Sequence, residues 1–267
     1  MRIFLKEGDR GDDVGLLQQR LQREGHQVTL TNVYDDATER AVMNLQAANN
    51  LVVDGVYGPK SFMALVGSPQ ARHLSHADLV RAADQLGVPL ATVRAVNEVE
   101  SRGEGFLPDG RPVILFERHK FYQQLEKHGV DPAPIAAKYP NLCNPEAGGY
   151  RGGDAEYARL EQAKRIHLEA AYEAASWGAF QVMGYHAEDL GYPGVIDFVR
   201  CMYENEAAHL EAFVRYVQHF GLAGHLKARK WAAFAKGYNG PAYARNLYDT
   251  KLARAYDKYS DMEKVAA

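Results

Sequence analysis

A mainly α-helical protein in two unequal parts is the fold class the sequence predicts: a small three-helix domain, then a larger helical domain with one small β-hairpin. Three observations predict it. Apolar residues recur at the 3.6-residue period of a helix through most of the 267 residues. Asp, Ser, Pro and Gly stand where such helices would begin and end. A short pattern, Val33-Tyr34-Asp35-Asp36-Ala37-Thr38, returns 23 residues later as Val56-Tyr57-Gly58-Pro59-Lys60-Ser61, within the first 67 residues. Two copies of a turn feeding a helix make a pseudo-symmetric unit rather than a solenoid.

In chain order, Asp12 is placed to cap a first helix that buries Val14, Leu17 and Leu21 and stops at Gly25. A second helix is predicted from about Ala37 to Asn49, burying Ala41, Val42 and Leu45. A third starts at Pro59, a residue favoured in the first helical position, and uses Phe62 and Leu65. Residues 68–75, with Pro69, Gln70 and Arg72, read as a linker, which divides the chain into a domain at 1–67 and another at 76–267. Ser75 and Asp78 form a start resembling a capping box, with Asp in place of Glu or Gln, and Gly87 closes that helix. Pro89 starts and Gly103 ends the next. A hairpin is expected from Phe106-Leu107 through a turn at Asp109-Gly110 to Val113-Ile114-Leu115-Phe116. A Gly-rich loop, Asn144 to Gly153, precedes a helix from about Asp154. Later helices are expected near 195–219, 229–236 and 241–259.

Composition excludes several classes of function. With 46% hydrophobic and 24% charged residues, the chain has the make-up of a globular protein. No apolar run approaches the ~20 residues that cross a bilayer, so no stable membrane insertion is expected. The opening Met1-Arg2-Ile3-Phe4-Leu5-Lys6-Glu7 lacks the apolar stretch of a secretory signal, and synthesis in the cytoplasm is the expectation. The net charge is −3, and neither part carries the basic excess that nucleic acid favours. Cys143 and Cys201 fit neither a disulfide scaffold nor a zinc cluster, and read as reduced, buried thiols. Ten histidines show no metal-ligand spacing. Glu206-Ala207-Ala208-His209 has half of a di-iron pattern and reads as a helix-surface pair. Gly148-Gly149-Tyr150-Arg151-Gly152-Gly153 lacks the residues of a phosphate loop and reads as a mobile rim. No metal or organic cofactor is expected.

The informative segment runs from Leu90 to Gly103. On helical spacing Leu90, Val93, Asn97 and Glu100 share one stripe, so Glu100 is expected to point inward from the last helical turn. Glu98 lies on another face, four residues after Arg94, and reads as half of an exposed ion pair. A carboxyl held against apolar side chains at the negative end of a helix dipole keeps its proton near neutral pH. That is what protonating a glycosidic oxygen requires. The alternative is a buried structural carboxylate satisfied by neighbouring donors. For a second carboxylate the sequence offers Glu98, Glu104, Asp109 and Glu117. Asp109 also reads as the first half of an Asp-Gly turn, and Glu117 as an ion-pair partner beside Arg118 and His119, so no second catalytic residue is assigned.

Two family resemblances emerge from these residues. Gly8-x-x-Gly11-x-x-Val14-x-x-Leu17-Gln18-x-x-Leu21, Tyr34-x-x-x-Thr38-x-x-Ala41-Val42-x-x-Leu45-Gln46 and Leu51-x-x-Asp54-Gly55-x-Tyr57-Gly58 resemble the peptidoglycan-binding domain type 1. Tyr34, Asp54 and Tyr57 either line a saccharide or peptide groove or pack their own domain as turn residues. Glu98-Val99-Glu100-Ser101, Phe106-Leu107-x-Asp109-Gly110-Arg111-Pro112-x-Ile114-Leu115-Phe116-Glu117-Arg118-His119, Ser176-Trp177-Gly178-Ala179-Phe180-Gln181-Val182-Met183-Gly184 and Gly237-Tyr238-Asn239-Gly240 resemble the N-acetylmuramidase family of modular phage endolysins, within the lysozyme and transglycosylase superfamily.

That resemblance implies a lysozyme-like catalytic domain at 76–267. It implies hydrolysis of the β-1,4 bond between N-acetylmuramic acid and N-acetylglucosamine, with Glu100 as the acid. It also implies that Ser101, Gln181, Met183, Tyr238, Asn239 and Glu117 contact substrate. Gln181 and Asn239 suit hydrogen bonds to N-acetyl and hydroxyl groups, Tyr238 offers an aromatic face, and Met183 reads as cleft wall. Trp177 and Phe180 read as core. The expected partner is peptidoglycan, met by a monomer in the periplasm after a holin or similar factor permeabilises the membrane. A lytic transglycosylase leaving anhydro-muramic ends, and a non-catalytic wall-binding or virion structural protein, are the rival readings.

Overall fold

The structure is a computed structural model that describes residues 4–67, 72–101 and 104–266. It is mainly α-helical, with one small antiparallel sheet, and divides into two compact units, Met1–Arg81 and Ala82–Ala267.

The first unit holds α1 (Asp12–Arg23), α2 (Asp36–Ala48) and α3 (Pro59–Leu65). Val14, Leu17, Leu21, Val42, Leu45 and Leu65 are buried together, as their spacing predicts. Gly11, not Asp12, is the N-cap of α1, and Asp12 is its first helical residue, acting on the helix dipole. Asp35 caps α2 by accepting from the Thr38 N–H at 2.9 Å.

The repeat seen in the sequence is physical, and two buried glutamines define it. Gln18 Oε1 accepts from the backbone N–H groups of Thr31 and Asn32, both at 3.0 Å, while its Nε2 donates to the Val33 carbonyl and the Thr38 hydroxyl, both at 2.9 Å. Gln46 repeats this one copy later. Its Oε1 accepts from Asp54 (3.1 Å) and Gly55 (3.0 Å), and its Nε2 donates to the Val56 carbonyl (3.0 Å) and Ser61 Oγ (3.2 Å). Each glutamine satisfies turn groups that have no sheet to pair them.

Next comes α4 (His76–Leu86), which opens with the reciprocal cap read from the sequence. The Ser75 N–H donates to Asp78 Oδ2 at 2.8 Å and the Asp78 N–H to Ser75 Oγ at 3.2 Å. Of the expected linker, residues 68–71 lie outside the described residues, as does Gly103.

In the second unit α5 (Leu90–Glu100) is followed by β1 (Ile114–Phe116), α6 (Arg118–Lys127), α7 (Ala133–Lys138), α8 (Asp154–Lys164) and α9 (Leu168–Glu173). Then come β2 (Ala175–Trp177), β3 (Val182–Met183) and a 3-10 turn at Gly184–His186. The chain continues through α10 (Val195–Met202), α11 (Glu206–His219), α12 (Ala223–Lys227), α13 (Trp231–Asn239), a 3-10 segment at Pro241–Asn246, and α14 (Tyr248–Ala266). Ala91 and Ala95 let α14 come close to α5, with Ala255 and Tyr259 packed against them. Buried residues run continuously from Ala91 to Val96, so α5 is surrounded by protein along most of its length.

Several expectations are corrected. Strand β1 pairs with β2, and β2 with β3, so the sheet is a three-stranded antiparallel one. The loop 106–112 closes on itself with a single Phe106–Pro112 bridge. The span 195–219 breaks at 203–205, where Asn205 caps α11 by accepting from the Ala208 N–H. The last helix starts at Tyr248, after Leu247 in the left-handed region (φ 53°). Arg94 is buried, not exposed, with its guanidinium 5.7 Å from the Tyr259 ring centroid. Both cysteines are free thiols, Cys143 buried and Cys201 only half-buried.

Two polar clusters are buried, and one of them, Glu206 with His209, reads as a helix-surface pair in the sequence. Glu206 and His209 are 2% and 1% exposed, not on a helix surface. Glu206 Oε1 accepts from the Gly105 N–H at 2.8 Å, and His209 Nδ1 from the Ala179 N–H at 3.1 Å. His209 Nε2 then donates to the Met202 carbonyl at 2.7 Å, which fixes a neutral tautomer. On α8, Glu156 and Arg159 form a buried ion pair at 2.7 Å. Glu156 also accepts from Arg151 (2.6 Å), Gly152 (2.9 Å) and Phe116 (3.2 Å) N–H groups. Arg159 donates to the carbonyls of Phe116 and Asn141, both at 2.8 Å. Together with Arg118, which donates to the carbonyls of Glu146 and Ala147, this pair anchors the Gly-rich loop that reads as a mobile rim in the sequence.

Candidate active site

Glu100 is the last residue of α5 and is 8% exposed, as the stripe of apolar positions requires. Its carboxyl opens onto a cavity of about 220 Å³ whose wall includes Gln181, Met183, Tyr238 and Asn239. Five residues from three segments far apart in the sequence therefore line one cavity.

The carboxyl's surroundings set its chemistry. Burial pushes its pKa from 4.5 up to about 7, against the opposing pull of the Asn239 hydrogen bond and the more distant Lys251 charge. Asn239 Nδ2 donates to Glu100 Oε1 at 2.9 Å. Desolvation prevails, so near neutral pH the group is able both to hold a proton and to release it.

Tyr238 stands beside it. Its hydroxyl donates to the Phe180 carbonyl at 2.7 Å, and its ring stacks on Phe234 with centroids 5.8 Å apart. Burial and the neighbouring Glu100 carboxylate hold the phenol well above its ordinary pKa, so it stays protonated. The next wall section is aromatic and carried no signal in the sequence: Tyr185, His186, Tyr216 and Tyr248. His186 packs against Tyr185 (4.2 Å), Phe220 (5.0 Å) and Tyr216 (5.3 Å), and burial lowers its pKa so that the ring is neutral near pH 7. Such a surface suits the apolar faces of sugar rings.

Gln181 lines the cavity, while Ser101 and Glu117 do not. The Gln181 carboxamide is occupied by the protein: Oε1 accepts from Ser176 Oγ at 2.9 Å, and Nε2 donates to the Gly178 (2.8 Å) and Val113 (3.3 Å) carbonyls. It braces the β2–β3 turn, while its flank contributes to the wall. Gly178 is required in that turn: its φ is +71°, and a Cβ would lie 2.6 Å from the His209 ring. Ser101 caps α5 by donating to the Asn97 carbonyl, and neither it nor Glu117 lines the cavity. Glu117 accepts from the Tyr150 hydroxyl at 2.6 Å and faces His119 at 3.2 Å. Trp177 and Phe180 are 1% and 2% exposed and belong to the core, although Phe180 also borders the cavity.

In the first unit the geometry favours the packing alternative for Tyr34, Asp54 and Tyr57. Tyr34 and Tyr57 are 0% and 1% exposed, Tyr34 donating to the Gly55 carbonyl at 2.7 Å, so both side chains belong to the interior of the unit. Asp54 is engaged by the Gln46 amide at 2.7 Å and the Val56 N–H at 2.8 Å as a turn residue.

The other sequence candidates for a second carboxylate are also occupied elsewhere or absent from the wall. Glu98 accepts from the Tyr259 hydroxyl at 2.7 Å, and Asp109 pairs with Arg111 at 2.6 Å. Among the described residues lining the cavity, Glu100 is the sole carboxylate.

Comparison with known proteins agrees with this geometry. No curated protein matches the chain. A solved structure, the crystal structure of the Burkholderia AP3 phage endolysin, is 54% identical and covers 97% of this chain and 99% of its own, with a TM-score of 0.93. The peptidoglycan binding domain family matches residues 10–65, the unit of the twin glutamines. The N-acetylmuramidase family matches residues 89–260, more than half of the chain and the whole of the cavity around Glu100, and it is to this family that the chain belongs.

Proposed function

We propose that the chain is a cell-wall-degrading endolysin that hydrolyses the β-1,4 bond between N-acetylmuramic acid and N-acetylglucosamine, with Glu100 as general acid. The observation that carries this is the buried Glu100 carboxyl, held near pKa 7 and facing an aromatic-walled cavity. Glu100 protonates the leaving oxygen, the sugar becomes oxocarbenium-like, and the resulting carboxylate takes a proton from the water that captures it. Asn239 orients the carboxyl and Tyr238 presents its ring to the sugar, while Met183 and the flank of Gln181 close the wall.

A second reading has a specific observation in its favour. A lone carboxylate on the wall suits a lytic transglycosylase, in which the muramic 6-hydroxyl replaces water and Glu100 serves as acid and then base. Mass spectrometry of digested sacculi separates the two: reducing muramic ends support hydrolysis, anhydro ends support transglycosylation. Equal wall clearing by Glu100→Gln and the unsubstituted chain would remove both and leave a non-catalytic wall binder.

Residues 1–67 act in this reading as a wall anchor, 68–75 as a linker and 76–267 as the catalytic domain. With Tyr34 and Tyr57 buried, other residues of the first unit must contact the wall. Deleting residues 1–67 is expected to weaken sedimentation with purified sacculi while sparing some cleavage. The chain works as a monomer, is made in the host cytoplasm and reaches the periplasm through a holin-type partner. Among the described residues no helix is long and apolar enough to cross a membrane. Lysis on expression without any permeabilising factor would contradict that dependence.

A further inference from the structure

A second cavity, of about 380 Å³, shares Tyr185 with the catalytic one. Its polar lining comes from α6 (Gln124 and Lys127), the His128 that follows it, Glu173 at the end of α9, and Glu188 and Asp189 beyond the 3-10 turn. The turn runs tight against α9 because Gly184 has no side chain: a Cβ there would sit 2.2 Å from the Tyr172 carbonyl oxygen. This close approach brings Tyr185 between the two cavities.

Two features of the lining point to a ligand. Gln124 is 4% exposed and contributes a carboxamide to the lining. An amide at a cavity wall can both donate to and accept from an outside group. Charge of both signs also converges here. The Lys127 ammonium lies 5.7 Å from the Tyr185 ring centroid, Glu173 holds His128 Nε2 at 2.8 Å, and Asp189 faces His186 Nδ1 at 3.4 Å, with Glu188 beside it. A pocket lined by an ammonium, an amide and several carboxylates is complementary to a ligand bearing both carboxylate and amine.

We infer that this cavity receives the short peptide carried by the muramic sugar, its carboxylates meeting Gln124 and Lys127 and its free amine meeting Glu188 and Asp189. The inference rests on the glycosidase reading, which places a muramic sugar in the adjoining cavity. It adds a determinant of specificity: the enzyme would discriminate peptide-bearing from naked glycan.

The test uses the full-length Glu100→Gln protein, which binds without cutting. Two probes are compared by calorimetry, glycan fragments with their peptides intact and the same fragments stripped by an amidase. Peptide-bearing fragments are expected to bind roughly tenfold more tightly, a difference of about 1.4 kcal/mol. Adding Lys127→Ala, at an exposed position, or Gln124→Leu is expected to erase that preference without changing affinity for stripped fragments, and Lys127→Arg to retain it. Equal binding of both probes, or equal losses on both in the variants, overturns the proposal. Failure of the unsubstituted chain to cut either probe would instead overturn the glycosidase reading, because the binding difference is measured without cleavage.

Discussion

Replacing Glu100 by Gln should remove activity and, above neutral pH, make the protein more stable. In the folded chain burial lifts the carboxyl from 4.5 to about 7. Below pH 4.5 the group is protonated whether the chain is folded or not, and it contributes nothing to the pH dependence. Between pH 4.5 and 7 the unfolded chain ionises first, so the folded state loses stability as pH rises, and above pH 7 the full penalty is present. At about 1.4 kcal/mol for each pH unit between the two pKa values, the penalty reaches about 3 kcal/mol. Glutamine carries no charge, is nearly the same size, and its carbonyl oxygen can still accept from Asn239. Urea denaturation of the two proteins at pH 4, 6 and 8 should therefore give curves that coincide at pH 4 and separate progressively, with Glu100→Gln the more stable. A constant difference across that range, or greater stability of the unsubstituted chain at pH 8, would refute the claim that desolvation governs this carboxyl.

Other consequences follow from the same contacts. Cleavage should fall as pH rises through about 7, where Glu100 loses its proton; Asn239→Ala, which removes a bond to the ionised form, should move that limb upward by about one pH unit. An unmoved limb in the pH profile would deny the hydrogen bond its role. His209→Leu leaves the Ala179 N–H and the Met202 carbonyl without their partner and should cost about 2–4 kcal/mol in urea denaturation, with reduced cleavage as the β2–β3 turn loosens. Arg159→Met strands the Glu156 charge in the interior and should cost about 3–5 kcal/mol, less when Glu156→Gln accompanies it. Gln18→Leu and Gln46→Leu should lower the first unit's melting temperature by similar amounts in calorimetry, since each removes an equivalent set of bonds.

Much of the site was legible because it depends on local rules. Helix periodicity alone turned Glu100 inward, and the caps at Ser75 and the helix start at Pro59 follow from side-chain chemistry within one turn. What was illegible depends on distant partners. Glu206-x-x-His209 and Glu156-x-x-Arg159 have the spacing of solvated helix pairs, and only the chain folded over them, at Gly105, Ala179, Phe116 and Asn141, makes them interior. Strand β1 was foreseen as half of a hairpin, but its partner is Ala175–Trp177, across two intervening helical pairs. The aromatic wall of Tyr185, His186, Tyr216 and Tyr248 is assembled from three segments, none of which has a distinguishing pattern. In the first unit, Leu17-Gln18 and Leu45-Gln46 did stand in parallel positions, a signal that a polar residue inside an apolar stripe serves the turns above it.

A domain of some sixty residues has little interior to draw on, and many of that size lean on a disulfide or a bound metal. Residues 1–67 contain no cysteine. Their two inward-facing carboxamides act as non-covalent staples, each tying a loop to a helix through several bonds at once. The integrity of this unit is therefore indifferent to redox conditions, since it holds no thiol that could be oxidised or reduced.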